Sequence, residues 1–105
     1  MILYLKNKKN SYNAVGEYDH ANKSFVLKKG SIISDSVAYS ATFRAADRIN
    51  HQRKGVINNN NKTIKDLTFK SSSTAANFVT GRSTNGLIAW KDENGKKLKE
   101  LLKDE

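Results

Sequence analysis

The stretch Phe25-Val26-Leu27-Lys28-Lys29-Gly30-Ser31-Ile32-Ile33 is the clearest β segment of the chain, because aromatic and β-branched residues dominate it on both sides of a glycine that allows a turn. Upstream, the segment from Tyr12 to Tyr18 alternates loosely between apolar and polar residues, a pattern typical of strands. The polar residues 19–23 between the two segments have the composition of a turn. Together these features predict a β-hairpin from Tyr12 to Ile33.

Three further segments have strand character. The short apolar run 2–5 opens the chain, residues 64–69 alternate with one slip, and residues 87–90 form the apolar run Leu-Ile-Ala-Trp after a predicted Asn85-Gly86 turn. We expect the Asn85-Gly86 turn to require a positive φ. With the hairpin, these segments predict a mainly antiparallel sheet of about five strands.

Three helices are predicted beside this sheet. The longest lies near residues 36–53, where Tyr39, Phe43, Ala46 and Ile49 recur at helical spacing. Arg44, Arg48, Arg53 and Lys54 lie off that apolar stripe. A second helix, 74–80, follows the capping serines 71–73 and ends at Gly81. A third follows the turn Asn94-Gly95, with Leu98, Leu101 and Leu102 inward. The sequence thus indicates the α+β class.

Length and composition limit the kind of protein. With 105 residues and 37% apolar residues, the chain is expected to form a single domain spanning residues 1–105 with one modest core. No window approaches the roughly 18 consecutive apolar residues of a membrane span, and the opening run 1–5 is too short for the apolar core of a signal peptide. We therefore expect a cytoplasmic protein without a membrane partner. The absence of cysteine excludes thiolate catalysis and Cys-ligated zinc.

The balance of charge is the first indication of a partner. Nineteen Lys and Arg against ten Asp and Glu give a net charge of +9. A/T-rich codons offer a neutral explanation for the 15 Lys and 12 Asn, but that bias would raise the acidic residues as well. A polyanion is thus the expected partner, and residues 1–54 carry more of the excess, with ten basic and four acidic side chains.

The densest cluster of motif residues lies near the C-terminus. It contains Ser73 with Ala75-Ala76, then Gly81-Arg82-Ser83 with Asn85-Gly86, then Trp90-Lys91, then Asn94-Gly95 with Leu98. These motifs, with Ala14-Val15-Gly16-Glu17-Tyr18 and the β segment 25–31, resemble the domain-of-unknown-function family four-three-five-seven nearly end to end. Members of that family are often found C-terminal to GIY-YIG nuclease domains. The Gly-Arg-Ser-x-Asn-Gly stretch is also similar to the restriction-enzyme and adenine-methylase-associated domain.

These resemblances imply an accessory nucleic-acid-binding module of a nuclease or restriction-modification type system, with DNA more expected than RNA. The implied partner is a nuclease domain in cis or in trans. Three positions depart from the family pattern: Lys28-Lys29 is one lysine longer than usual, Leu87 replaces a common aromatic residue, and Asn94 replaces an acid.

Each candidate binding residue also has a purely structural interpretation. Arg82, just after a helix, can offset the helix dipole or offer its guanidinium fork to phosphate or guanine. Asn85 can simply form a turn, and Trp90 can be core or can stack on a base. Lysines at strand ends are solvated charges or phosphate contacts. The candidate nucleic-acid-binding residues are Arg82, Ser83, Asn85, Trp90, Lys91, Lys28, Lys29 and Lys70.

Catalysis has little support in the sequence. The nearest candidate is the pair Asp19-His20 in a turn, and His51 lies near a helix end. No metal-ligand spacing, glycine-rich phosphate loop or Ser/His/Asp order appears. We expect no enzyme activity, no metal, no cofactor and no small-molecule substrate. Two alternatives stay open: a protein-interaction module whose basic surface serves solubility, and a small metal-independent ribonuclease using His20 or His51.

Overall fold

The computed structural model describes residues 1–7, 11–35 and 46–103, and these form four strands and four helices. The strands are β1 (Ile2–Lys6), β2 (Asn13–Asp19), β3 (Ser24–Leu27) and β4 (Leu67–Phe69). The helices are α1 (Ala46–Arg53), α2 (Ser72–Thr80), α3 (Gly86–Ala89) and α4 (Leu98–Lys103). The predicted α+β class is confirmed. The described residues contain one strand fewer and one helix more than the sequence predicted. Among those described residues, no helix has the length and apolar character needed to cross a membrane.

The four strands form one sheet in the order β1-β2-β3-β4, and every neighbouring pair is antiparallel. The pairing of Tyr18 with Phe25 confirms the predicted hairpin, although β3 itself ends at Leu27. Beyond it, Ile32 returns to pair with Asn13 in an isolated bridge. The mainly antiparallel sheet expected from the sequence is therefore confirmed.

The hairpin turn is organised by Asp19. One carboxylate oxygen of Asp19 accepts hydrogen bonds from the backbone amides of Ala21 at 3.1 Å and Asn22 at 3.3 Å. The other accepts from the side-chain amide of Asn22 at 2.7 Å. The side-chain bond from Asn22 is the main reason that the pKa of Asp19 lies below its usual value. The carboxylate therefore closes the turn in its ionised form.

Alternation along the strands separates an inner face from an outer face. The buried inner-face residues include Leu3, Leu5, Ala14, Phe25, Leu27 and Phe69. On β1 the outer face carries Ile2, Tyr4 and Lys6, which are exposed or half-buried. These outer residues do not belong to the core cluster that the described residues form. The sheet thus has one face packed on the core and one face that can meet a partner.

The inner face packs on α2 and on the segment that follows it. Ala75, Ala76, Phe78 and Val79 of α2 are fully buried. Trp90 and Leu98 complete the core from the C-terminal part of the chain, and the ring centroids of Trp90 and Phe25 lie 4.5 Å apart. The serine cap and the glycine end predicted for α2 are confirmed, because Ser71 accepts from the Thr74 amide and Gly81 has a φ of 75°.

One sequence prediction about this part of the fold is wrong, and a second is confirmed over its described residues. Residues 87–90 do not form a strand: Gly86–Ala89 is a short helix, and Leu87 and Ile88 point outward with 39% and 44% of their surface exposed. The predicted first helix, residues 36–53, is confirmed over Ala46–Arg53, and Ile49 is buried as expected. Its predicted apolar positions Tyr39 and Phe43 lie outside the described residues.

Arg53 lies in the interior, although its position is off the apolar stripe of the predicted helix. Only 7% of its surface is exposed. Its guanidinium donates to the carbonyl oxygens of Ser34 at 3.0 Å and Phe78 at 2.6 Å, and it lies 5.6 Å from the Phe78 ring centroid. Burial lowers the pKa of Arg53, and the nearby Asp35 opposes that shift. The helical spacing of apolar residues could not reveal this burial, because carbonyl groups at the end of α2 supply the hydrogen bonds that a buried guanidinium needs.

Candidate nucleic-acid interface

The segment 81–86 runs back along α2 and is fixed to it by hydrogen bonds. The Thr84 amide donates to the Asn77 side-chain oxygen at 2.8 Å, and the Gly86 amide donates to the Ser73 hydroxyl at 2.9 Å. The hydroxyls of Thr80 and Thr84 lie 3.1 Å and 3.0 Å from the Arg82 carbonyl oxygen. We call residues 81–86 the α2 return loop. Its backbone is held in place from both sides of Arg82.

The α2 return loop presents its polar side chains to solvent. Arg82 and Ser83 are exposed, and neither side chain has a hydrogen bond or an ion pair among the described residues. Asn85 is exposed too, but its side-chain oxygen accepts from the Leu87 amide at 3.0 Å and caps α3. The loop therefore brings three of the predicted residues together, two with unused side chains and one already in use as a cap.

Gly86 is required by close packing and not by a positive φ. The glycines with positive φ are Gly30, Gly55, Gly81 and Gly95. A Cβ placed on Gly86 would lie 2.3 Å from the Ser72 carbonyl carbon, far inside van der Waals contact. The predicted positive-φ turn at Asn85-Gly86 is therefore wrong. The pair instead begins a helix where the chain crosses the start of α2.

Trp90 lies in the core and not on the candidate binding surface. It has 0% exposure, and its indole N–H donates to the Ser72 carbonyl oxygen at 3.0 Å. A ring enclosed in the core with its N–H satisfied cannot stack on a base of a bound strand. Of its two interpretations, the core one is correct.

The predicted lysines are distributed over separate parts of the sheet. Lys28 lies between two carboxylates, 3.9 Å from Glu17 and 3.8 Å from Asp66. Lys29 and Lys70 are exposed, and among the described residues their ammonium groups have no partner. Lys28 is thus the predicted lysine whose charge is already balanced, which makes it the weakest phosphate ligand of the three.

Lys91 lies beside an aromatic residue that sequence reasoning did not select. The Tyr4 amide donates to the Lys91 carbonyl at 2.7 Å, and the Lys91 amide donates back to the Tyr4 carbonyl at 3.1 Å. The two side chains therefore share the outer face of the sheet, with Lys6 two residues along β1. The alternation Leu3-Tyr4-Leu5 was the signal, since burial of both leucines forces the tyrosine outward.

The two candidate histidines lie in different parts of the described structure, one in the turn after β2 and one on α1. His20 contacts the Tyr18 ring, with centroids 5.9 Å apart, and His51 is exposed on α1. The described residues contain no group of three or more His, Cys, Asp or Glu side chains placed to hold a metal ion.

Comparison with known proteins gives one match. The family model described as "Domain of unknown function (DUF4357)" matches residues 3–102. The chain belongs to this family. Searches of curated proteins and of solved structures returned no significant match.

The DUF4357 match covers every strand and helix given above almost completely, from the second residue of β1 to the penultimate residue of α4. The α2 return loop and the Tyr4–Lys91 pair both fall within it. The family assignment predicted from the sequence motifs is confirmed. The link to GIY-YIG nucleases and the likeness to the methylase-associated domain stay predictions.

Proposed function

We propose that this DUF4357 domain is a non-enzymatic module that binds nucleic acid, DNA in preference to RNA, and that it serves a nuclease or restriction-modification type system whose nuclease domain acts in cis or in trans. The observation that carries the proposal is positive charge that the chain leaves unbalanced. Lys29, Lys70, Arg82 and Lys91 are all exposed, and none has an ion-pair partner among the described residues. With a net charge of +9, this surface suits a polyanion.

The α2 return loop supplies the most favourable single contact. An arginine guanidinium can bind a phosphate or a guanine edge through two parallel hydrogen bonds. Because the hydrogen bonds to Asn77 and Ser73 already fix the loop backbone, binding orders little more than the Arg82 side chain itself. Ser83 stands beside it as a second donor. The loop is therefore the part of the surface where a base or a phosphate can be bound in a defined geometry.

The test is the salt dependence of binding to duplex DNA, duplex RNA and single strands, followed by fluorescence anisotropy. If about four to six phosphates are neutralised, the log–log slope of affinity against salt is roughly −4 to −5 on duplex DNA. Binding of all three polymers with a flat salt response, or no binding at low salt, contradicts the proposal. Tighter binding of RNA than DNA contradicts the preference for DNA.

A further inference from the structure

A cleft opens on the outer face of the sheet, between β1 and the turn that follows Trp90. Its volume is about 310 Å³, near the lower end of the range for ligand sites. The cleft is lined by Tyr4, Lys6, Ala89, Lys91, Asp92 and Glu93. A second hollow adjoins it and shares Tyr4, Asp92 and Glu93. We call the first hollow the Tyr4 cleft.

Backbone hydrogen bonds hold the walls of the Tyr4 cleft in place. The reciprocal bonds between Tyr4 and Lys91 join the turn to β1. One carboxylate oxygen of Asp92 accepts from the amides of Asn94 at 3.0 Å and Lys96 at 2.8 Å, and the Asp92 amide donates to the Lys96 carbonyl at 2.9 Å. The turn is thus rigid, and the second Asp92 oxygen and the Glu93 carboxylate have no hydrogen bond to another described residue.

The cleft combines three kinds of group. The half-buried Tyr4 ring lines the cleft, and an aromatic face stacks on any nucleobase, whereas ammonium groups contact phosphates. An ionised carboxylate accepts hydrogen bonds and cannot donate, so it selects bases that present N–H groups. A site that bound only phosphate would not place two carboxylates beside two lysines, because the carboxylates would repel the phosphate.

We propose that the Tyr4 cleft binds one unpaired guanine base of a nucleic-acid strand, an inference that rests on the proposed function. Tyr4 stacks on the base, and Lys6 and Lys91 contact the phosphates on either side. Guanine is the base whose Watson–Crick edge carries two adjacent donors, N1–H and N2–H, which match the two oxygens of one carboxylate. Adenine and cytosine offer one amino group on that edge, and thymine offers a single ring N–H.

The base must be unpaired because pairing occupies this same edge. In a duplex the N1–H and N2–H groups of guanine are bonded to cytosine, and its face is stacked on its neighbours. The Tyr4 cleft therefore adds affinity for single strands, ends or extruded bases, whereas Arg82 on the α2 return loop contributes to every polymer.

The experiment measures binding of short labelled thymine strands that carry guanine, adenine, cytosine or thymine at one central position. We expect the guanine strand to bind about tenfold more tightly than the thymine strand, in line with the discrimination that one two-bond contact to a base edge provides. Tyr4→Leu should remove that advantage, and Tyr4→Phe should keep most of it because the ring is retained. Thermal unfolding of both variants checks the fold.

Amide variants that remove the negative charge test the two carboxylates without changing a residue of β1. Glu93→Gln and Asp92→Asn should lower the ratio of guanine-strand affinity to thymine-strand affinity, and the asparagine side-chain oxygen at position 92 can still accept the turn hydrogen bonds. Arg82→Ala should weaken all four strands equally. The proposed guanine site in the Tyr4 cleft would be overturned if the four strands bound with equal affinity, or if both Tyr4→Leu and Glu93→Gln kept the full guanine preference. Salt-dependent binding of the strands would still support the proposed function in that case. Failure to bind any of the four strands would overturn the Tyr4 cleft, and failure to bind duplex DNA as well would overturn the proposed function.

Discussion

Arg82 is the residue on which the proposed contact with nucleic acid most depends. We expect Arg82→Ala to weaken binding more than Lys103→Ala and to reduce the salt slope by about one, because the alanine removes a two-bond contact presented by a fixed loop. Lys103 is also exposed but lies in the last turn of α4, and the last turn of a helix frays. Paired titrations at one salt concentration make the comparison. Equal losses would show that Arg82 is no more than a charge after a helix.

The stability of the Arg82 variant should stay close to that of the wild type, since an exposed arginine without a partner contributes less than about 1 kcal/mol. Urea unfolding of the same two variants serves as the control. A large loss of stability in Arg82→Ala would mean that its side chain supports the fold, and the binding data would then need another explanation.

Gly86 tests the packing of the α2 return loop against the start of α2. A Cβ at this position would lie 2.3 Å from the Ser72 carbonyl carbon and 2.4 Å from the Ser73 nitrogen, and neither backbone atom can turn aside as a side chain does. We expect Gly86→Ala to lower the free energy of unfolding by about 1–3 kcal/mol. The measurement is the urea midpoint, with Ser83→Ala in the same loop as an exposed control. Equal midpoints for the two variants would contradict the close approach.

At the level of elements, the turn between β2 and β3 gives a pH-dependent prediction. The pKa of Asp19 is lowered in the fold, so its stabilisation is present above the unfolded value, near 3.8, and is lost as the pH falls through the folded value. Asp19→Ala should therefore destabilise the hairpin at neutral pH and have a smaller effect in acid well below 3.8. Urea unfolding at the two pH values measures the difference. A penalty that grows in acid would contradict the role of the ionised carboxylate.

Elements fixed by local signals could be predicted from the sequence. The hairpin, the serine cap and glycine end of α2, and the inward Leu98 of α4 all depend on residues within a few positions of each other. The run 87–90 could not be predicted in this way, because its apolar residues suit a strand. Its helix follows from the Asn85 cap and from the contact of Gly86 with Ser72, which is distant along the chain.

The residues of the candidate interface also differ in whether local sequence could predict them. The exposure of Arg82, Lys29 and Lys70 followed from charge alone, because isolated charges are costly to bury. Arg53 and Trp90 are buried because hydrogen-bond acceptors from α2 meet them in three dimensions. The Tyr4–Lys91 pair joins two ends of the sequence, so no local pattern could indicate it.

For the whole molecule, we expect no cleavage of DNA or RNA, with or without added divalent metal. The acidic pair 92–93 lies in a turn of the Tyr4 cleft, His20 lies in the turn after β2, and His51 lies on α1. Gel analysis of labelled DNA and RNA incubated with nuclease-free protein makes the measurement. Turnover that disappears in His20→Ala would replace the binding module with the ribonuclease alternative.

Arg53 has a consequence for how the molecule opens. Its guanidinium bonds Ser34, which follows β3, and Phe78, near the end of α2, while its own backbone belongs to α1. Lysine cannot reproduce the guanidinium fork, so Arg53→Lys should speed amide hydrogen exchange in α1 and in the last turn of α2 by similar factors. Amides between β1 and β2 should keep their protection, and uniform acceleration across the chain would contradict this view. These two helical segments then act as one cooperative unit that can loosen while the sheet stays closed.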